Sequence, residues 1–439
     1  MKALGSIAVA LFSLVPVTSA QRPGFWERRK SLATPRQEVA AAVIGTNLYV
    51  SGGLIAGFQS TRTVEVYNTR TRVWRRIPDM PQRLHHHGMC ALQGKLWVIG
   101  GYTGRTFSPT AQCHMYDPSK KLWSRIADLP QARGALVAVA IGGRIYAVGG
   151  VERFAGVVAR LTVYDPGTNS WKTLPSMPTA REHLAATELG GKLFVAGGRR
   201  SGRLFQAVES FDPAKRSWTT HPPMPTARGG TGAAALDGRL IVLGGEARRN
   251  FPEAEEYDPV TRRWRRLRDM LVPLHGIYPV TVGDEIIVAG GGLVPGLRPS
   301  TTVIALRRNP TGVVAFGAST PACRGTILAN VSELPIAGAA GFRVDSSPNA
   351  PIRSFGVLVV GFARDVAGTP FLGARLHVAL RPAPILFPVS SDAAGMARAP
   401  LPLPSNARNA VFVAQLLLAS PRCPRGPLSA TNALAVPIR

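Results

Sequence analysis

Six glycine pairs at almost even spacing restrict what this chain can fold into more than any other feature of it. They stand at Gly52-Gly53, Gly100-Gly101, Gly149-Gly150, Gly197-Gly198, Gly244-Gly245 and Gly290-Gly291, with steps of 48, 49, 48, 47 and 46 residues. Trp26, Trp74, Trp123, Trp171, Trp218 and Trp264 keep the same steps. An aromatic residue precedes five of these tryptophans by seven positions: Tyr67, Tyr116, Tyr164, Phe211 and Tyr257. In four cases Asp-Pro follows it, and Asn68 stands in the first. A period just under fifty, built of short alternating apolar runs with tight turns, is the pattern of a propeller whose blades are four-stranded sheets.

The fourth unit shows how each one parses. Leu184 to Leu189 reads as a first strand, Gly190-Gly191 as a two-residue turn and Lys192 to Ala196 as a second strand. A loop, a third strand ending at Phe211, an Asp-Pro turn and a fourth strand through Trp218 complete it. The glycine pair ends the second strand where backbones crowd and a Cβ has no room. The tyrosines and tryptophans are expected to bury large areas between adjacent blades.

The double glycine, the aromatic with Asp-Pro and the tryptophan, recurring in register, closely resemble the kelch-repeat family. The resemblance implies an all-β fold, a six-bladed kelch β-propeller in which the repeat residues build blades and touch no ligand. Five units are complete. The sixth, His275 to Leu306, has three strands and no tryptophan, whereas Trp26 has no strands before it. Joining the two completes a sixth blade, so the segment Phe25 to Lys30 should close the ring.

This topology separates two rims. Turns after strands one and three form a minimal rim, while loops after strands two and four form a long-loop rim that carries all the variety. The long loops hold Arg105, Arg153, Arg203 and Arg248, with aromatics such as Phe251. Between blades the same rim adds Arg36, Arg83, Arg133, Arg181 and Arg228, so the sequence predicts a ring of guanidiniums that would match carboxylate, sulfate or phosphate, while so regular a recurrence also points to several of the interblade arginines bonding backbone carbonyls at the channel mouth. Residues that break the pattern stand out as candidate binding groups: Glu38, His85 and His87 from the run RLHHHGM, and His183 beside Glu182. Alternate residues of an extended segment share a face, which would let His85 and His87 reach one ion together with His183. A lone histidine triplet is a weak signal, and the expectation is no metal and no cofactor.

The formal charge of +27 rests almost wholly on arginine and favours acidic partners. No nucleic-acid-binding motif accompanies it, so nucleic acid is not expected. Met1 to Ala20, with a basic start, an apolar run and small residues before the cut, reads as a secretory signal peptide. No apolar run reaches the roughly 20 residues of a membrane-spanning helix. The propeller is expected over residues 21–310. Over residues 311–439 tryptophan vanishes, and alternating runs such as SFGVLVVGFA and NAVFVAQLLLA suggest a β-sandwich-like C-terminal domain. That region loosely resembles a β-rich tail domain of exported bacterial proteins. Cys323 and Cys423 bracket it and are expected to form a disulfide, whereas Cys90 and Cys113 should lie on non-neighbouring strands of one blade.

The expected function is that of a secreted, non-catalytic binding protein whose long-loop rim takes an acidic polysaccharide or an extracellular protein. The alternative is a carbohydrate-active enzyme. Kelch propellers include the galactose-oxidase-like copper enzymes, but Cys90 and Cys113 stand in no context resembling that site. An exported six-bladed sialic-acid mutarotase is nearer in architecture. Its chemistry needs a carboxylate acid/base beside an arginine, for which Glu152, Glu182 and Glu246 near rim arginines would be the material.

Overall fold

A computed structural model describes residues 24–307 and eleven strands between residues 314 and 437. The signal peptide expected over Met1–Ala20 and the disulfide expected between Cys323 and Cys423 lie outside the described residues. Six four-stranded antiparallel sheets succeed one another from residue 25 to residue 307. Blade one, for example, orders its strands from the axis outward as Ala40–Ile44, Asn47–Ser51, Val64–Asn68 and Val73–Ile77. Blade six takes Val280–Val282, Glu285–Ala289 and Val303–Arg307 from the end of the repeat region, and its outermost strand, Phe25–Arg28, from the amino end. Phe25 pairs with Arg307 and Arg28 with Ile304, so the expected closure is the one found.

The repeated residues hold each blade to its neighbour. Every repeat tryptophan donates its indole N–H to a carbonyl of the preceding blade's exit segment: Trp26 to Arg268, Trp74 to Lys30, Trp123 to Pro78, Trp171 to Ala127, Trp218 to Pro175 and Trp264 to Pro222, at 2.7–3.0 Å. In all but Trp26 its ring lies 5.0–5.4 Å from the aromatic seven residues earlier. The second glycine of each pair donates its N–H to a carbonyl of the next blade, from Gly53 to Leu84 through to Gly291 and Arg36. Gly52 shows why no side chain fits there. Its φ is +57°, and a Cβ would sit 2.5 Å from the Leu84 carbonyl oxygen.

Small residues line the axis. Ala40, Ala41, Ala42, Ala138, Ala185, Ala186, Ala233 and Ala234 are buried on the innermost strands. Tyr278 crosses this channel from blade six and donates its hydroxyl to the Ala138 carbonyl of blade three at 2.9 Å. Cys90 and Cys113 are free, buried thiols on the first and third strands of blade two. Burial pushes the Cys113 thiol up to about 12.

Beyond the propeller, Val314–Phe316, Ala433–Pro437, Val411–Ala419, Phe355–Gly361 and Ile385–Ser390 pair in that order into an antiparallel sheet, with Leu428–Ala430 also on Val411–Ala419. A second, three-stranded sheet joins Ala329–Val331, Arg343–Ser346 and Arg398–Pro400. The C-terminal part is therefore β-sandwich-like. Among the described residues no helix is long and apolar enough to cross a membrane.

Candidate functional site

The entrance to each innermost strand is a tight bend, and its geometry builds the site. Six residues stand at this bend, each fourteen positions before the first glycine of its pair: Glu38, His86, Ala135, His183, Gly230 and Gly276. All six have φ between +49° and +62°, a left-handed conformation that side chains with a Cβ resist. Backbone bonds hold them there. Glu38 donates its N–H to Gly276, His86 to Glu38, Ala135 to His86, Gly230 to His183 and Gly276 to Gly230, at 2.8–3.0 Å. This hoop of amides points the six positions into the channel mouth, where they line a pocket floored by Tyr278.

Three of the positions, Ala135, Gly230 and Gly276, carry little or nothing, so Glu38, His86 and His183 meet without competition for space. Two of these three were legible as candidates; His86 was passed over. The bend at His86 breaks the alternation that would have put His85 and His87 on one face. His87 instead turns its Nε2 to Ser51 Oγ of blade one at 2.8 Å. His85 sits under the exposed ring of Phe107, centroids 4.6 Å apart, with its Nδ1 2.6 Å from that of His86.

Charged neighbours close a loop around the mouth. His86 Nε2 lies 3.2 Å from Glu38 Oε2 and 3.0 Å from His183 Nε2. His183 Nδ1 contacts the Glu182 carboxylate, and Glu182 accepts from Arg199 Nε at 2.9 Å. Arg199 gives a second N–H to Glu246, also at 2.9 Å, and Glu246 lies 3.4 Å from His275 Nε2. Asn250 Oδ1, 3.1 Å from His275 Nδ1, fixes the far side of that ring. Burial, with Glu246 nearby, pushes the Glu38 carboxyl up to about 8, and burial pushes His86 and His183 well below the usual imidazole range.

The expected guanidinium ring is corrected by this structure. Arg36, Arg133, Arg181 and Arg228 are fully buried inside their blades rather than offered to a ligand. Arg36 pairs with Glu65 at 2.7 Å, Arg181 with Glu209 at 2.7 Å and Arg228 with Glu255 at 2.9 Å, while Arg133 donates to Thr162 Oγ1 at 2.5 Å. Arg83 is out of register, because Leu84 holds the equivalent place in blade two. The long-loop arginines lie on the surface. Arg105, Arg153, Arg203 and Arg248 are exposed. Arg153 and Arg203 lie over Phe154 and Phe205, centroids 5.9 and 5.5 Å away. Phe251 is buried and folded back under Arg249, at 4.8 Å.

Comparison with known proteins agrees with this architecture. The family model described as the KLHDC2/KLHL20/DRC7 Kelch-repeats domain matches residues 21–150 and 127–291. Kelch-like protein terF of Aspergillus terreus is 31% identical over 96 residues, 20% of this chain and 21% of that protein. Human Kelch-like protein 24 is 31% identical over 94 residues, 21% of this chain and 15% of that protein. The matches thus span about a fifth or less of these relatives. The solved structure titled "Structure of YjhT" aligns with a TM-score of 0.56 at 15% identity, covering 63% of this chain and 96% of that one. At that identity the likeness concerns the fold alone. Repeat residues, blade architecture and family match together place this chain in the kelch-repeat family.

Proposed function

We propose that this chain is an exported binding protein whose long-loop rim takes an acidic polysaccharide, an acidic extracellular protein being the runner-up. The kelch propeller fold supports an interaction role in general. One observation carries the finer reading: the rim divides its arginines into two classes. Those beneath it are buried, and three of the four are neutralised by glutamates. Arg105, Arg153, Arg203 and Arg248 stand exposed on the long loops, with no carboxylate partner among the described residues. Exposed guanidiniums spread around a circle suit an extended polyanion, which engages several at once. Export itself rests on the Met1–Ala20 segment.

A carbohydrate-active enzyme of the sialic-acid mutarotase kind would need an arginine free to hold a sugar carboxylate. Arg199, the arginine of the channel-mouth loop, already serves Glu182 and Glu246. The deciding experiment is a binding curve of the purified chain on a heparin-type glycan at increasing salt. Affinity that falls as salt rises supports the rim reading. Absence of binding at low salt removes it, and accelerated mutarotation of an α-anomeric sialic acid, followed by NMR, would replace it with the enzyme reading.

A further inference from the structure

The hydrogen-bond partners around the channel mouth fix where the imidazole protons sit. His85 Nε2 lies 3.3 Å from the Gly104 carbonyl oxygen, which can only accept, so that nitrogen bears the proton. His85 Nδ1 is then a lone pair, and the Nδ1 of His86, 2.6 Å away, must donate to it. A neutral imidazole has one N–H, which leaves His86 Nε2 as a lone pair. His183 resolves in the same way. A proton on its Nδ1, which contacts the Glu182 carboxylate, leaves its Nε2 as a lone pair as well. These two lone-pair nitrogens stand 3.0 Å apart, and Glu38 Oε2 lies 3.2 Å from one of them. Three potential ligand atoms thus converge, and either a shared proton or a cation must hold them together.

We infer that Glu38, His86 and His183 form a binding site for a divalent transition-metal ion at the channel mouth. The spacing fits: ligands about 2.0 Å from a tetrahedral ion lie roughly 3.3 Å from one another. All three donor atoms fall within 4.8 Å of each other. The surroundings match what ligating histidines need, since each directs its other nitrogen to an orienting partner: Glu182 for His183 and His85 for His86. Glu182 is itself fixed by Arg199. Room for the carboxylate comes from Gly276, where a Cβ would stand 2.5 Å from Glu38 Cδ. Ala135 and Gly230 fill the rest of the hoop with nothing larger than a methyl group, so an ion held by three protein ligands keeps an open position toward the pocket for an oxygen donor.

The test uses the full chain, stripped with a chelator and dialysed, then titrated with Zn²⁺ by calorimetry and with Co²⁺ as an optical reporter. One equivalent of zinc per chain and a cobalt visible spectrum typical of a low-coordinate nitrogen and oxygen site are expected. His183→Ala should weaken zinc binding about 100-fold or more, and the nearly isosteric Glu38→Gln serves if the histidine variant misfolds. Glu182→Gln, which touches no ion, should cost about 10- to 100-fold through His183. His221→Ala, in blade four against Ser210 and Tyr257, should leave binding unchanged. No saturable one-to-one binding by the parent chain, or parent-like affinity in both His183→Ala and Glu38→Gln, overturns the assignment and leaves a shared proton as the occupant of the gap.

Discussion

The indole of Trp26 donates its N–H to the carbonyl of Arg268 at 2.8 Å, across 242 positions of sequence. That bond and the Phe25–Arg28 ladder on Val303–Arg307 make the amino-end strand the clasp of the ring. Deleting Phe25 to Lys30 strips the edge of blade six and opens the blade five interface at once. Trp26→Ala should lower stability by about 3–5 kcal/mol, the range for truncating a large buried aromatic. The deletion should lower the melting temperature further still, and thermal melts of the three proteins check both. A deletion that melts like the parent would mean the ring closes by other means.

Arg181 and Glu209 form a fully buried ion pair that the fold itself shows how to replace. At the places equivalent to this pair, blade two has Leu84 with His114 and blade six has Leu274 with Ile304. Arginine appears only where the third strand offers an oxygen: Glu65, Thr162, Glu209 or Glu255. Removing one partner strands a charge without water, so Glu209→Ile alone should cost about 3–5 kcal/mol. The double variant Arg181→Leu/Glu209→Ile should recover most of that loss. Denaturant unfolding of the single and double variants measures the difference, and a double variant no better than the single would show that the pair is needed for more than mutual neutralisation.

The blades were readable in the sequence because a propeller repeats its packing problem. Each glycine pair and each tryptophan meets the same neighbour six times, and the ring closure follows from counting. The channel mouth was less readable. His85 and His87 looked like a pair because an extended segment was assumed, whereas the hoop forces a left-handed bend at His86. The signal was present in the register: His86, unlike either neighbour, keeps the offset of fourteen from its glycine pair that Glu38 and His183 keep. The interblade arginines were legible in part, since Arg36, Arg133, Arg181 and Arg228 do bond backbone carbonyls. Their regularity marked a structural duty, and the glutamate two residues before the repeat aromatic, which gives that duty away, was not paired with them. Tyr278 belongs to no repeat position that carries an aromatic elsewhere, so no pattern could announce it.

Cys90 and Cys113 should resist modification. Both are buried, and burial disfavours their thiolate forms, lifting that of Cys113 to about 12. In the native chain at neutral pH, iodoacetamide is expected to leave both untouched over times that label them fully in denaturant. Intact mass and peptide mapping read the result. Rapid native labelling would show that blade two opens locally.

Tyr278 spans the axis, so its truncation should be felt by blades three and six together. Tyr278→Phe removes the hydrogen bond to Ala138 and should cost about 1 kcal/mol. Tyr278→Ala also empties the space between the alanine-lined walls and should cost about 3 kcal/mol. Melting curves of both variants decide. An alanine variant as stable as the parent would show that the tyrosine floors the pocket without bracing the ring.

Arg105, Arg153, Arg203 and Arg248 contribute little to the fold, so their removal separates binding from stability. Replacing all four by serine should leave the melting temperature nearly unchanged, since exposed substitutions usually fall within about 0.5 kcal/mol each. Affinity for a heparin-type glycan should drop about tenfold or more, as contacts worth roughly 0.2–1 kcal/mol apiece are lost together. The dependence on salt should flatten with it. Arg70, Lys120 and Lys215, exposed on the short-turn rim, supply the control. If their replacement weakens binding as much as the long-loop set does, attraction is a matter of total charge and the rim has no special part in it.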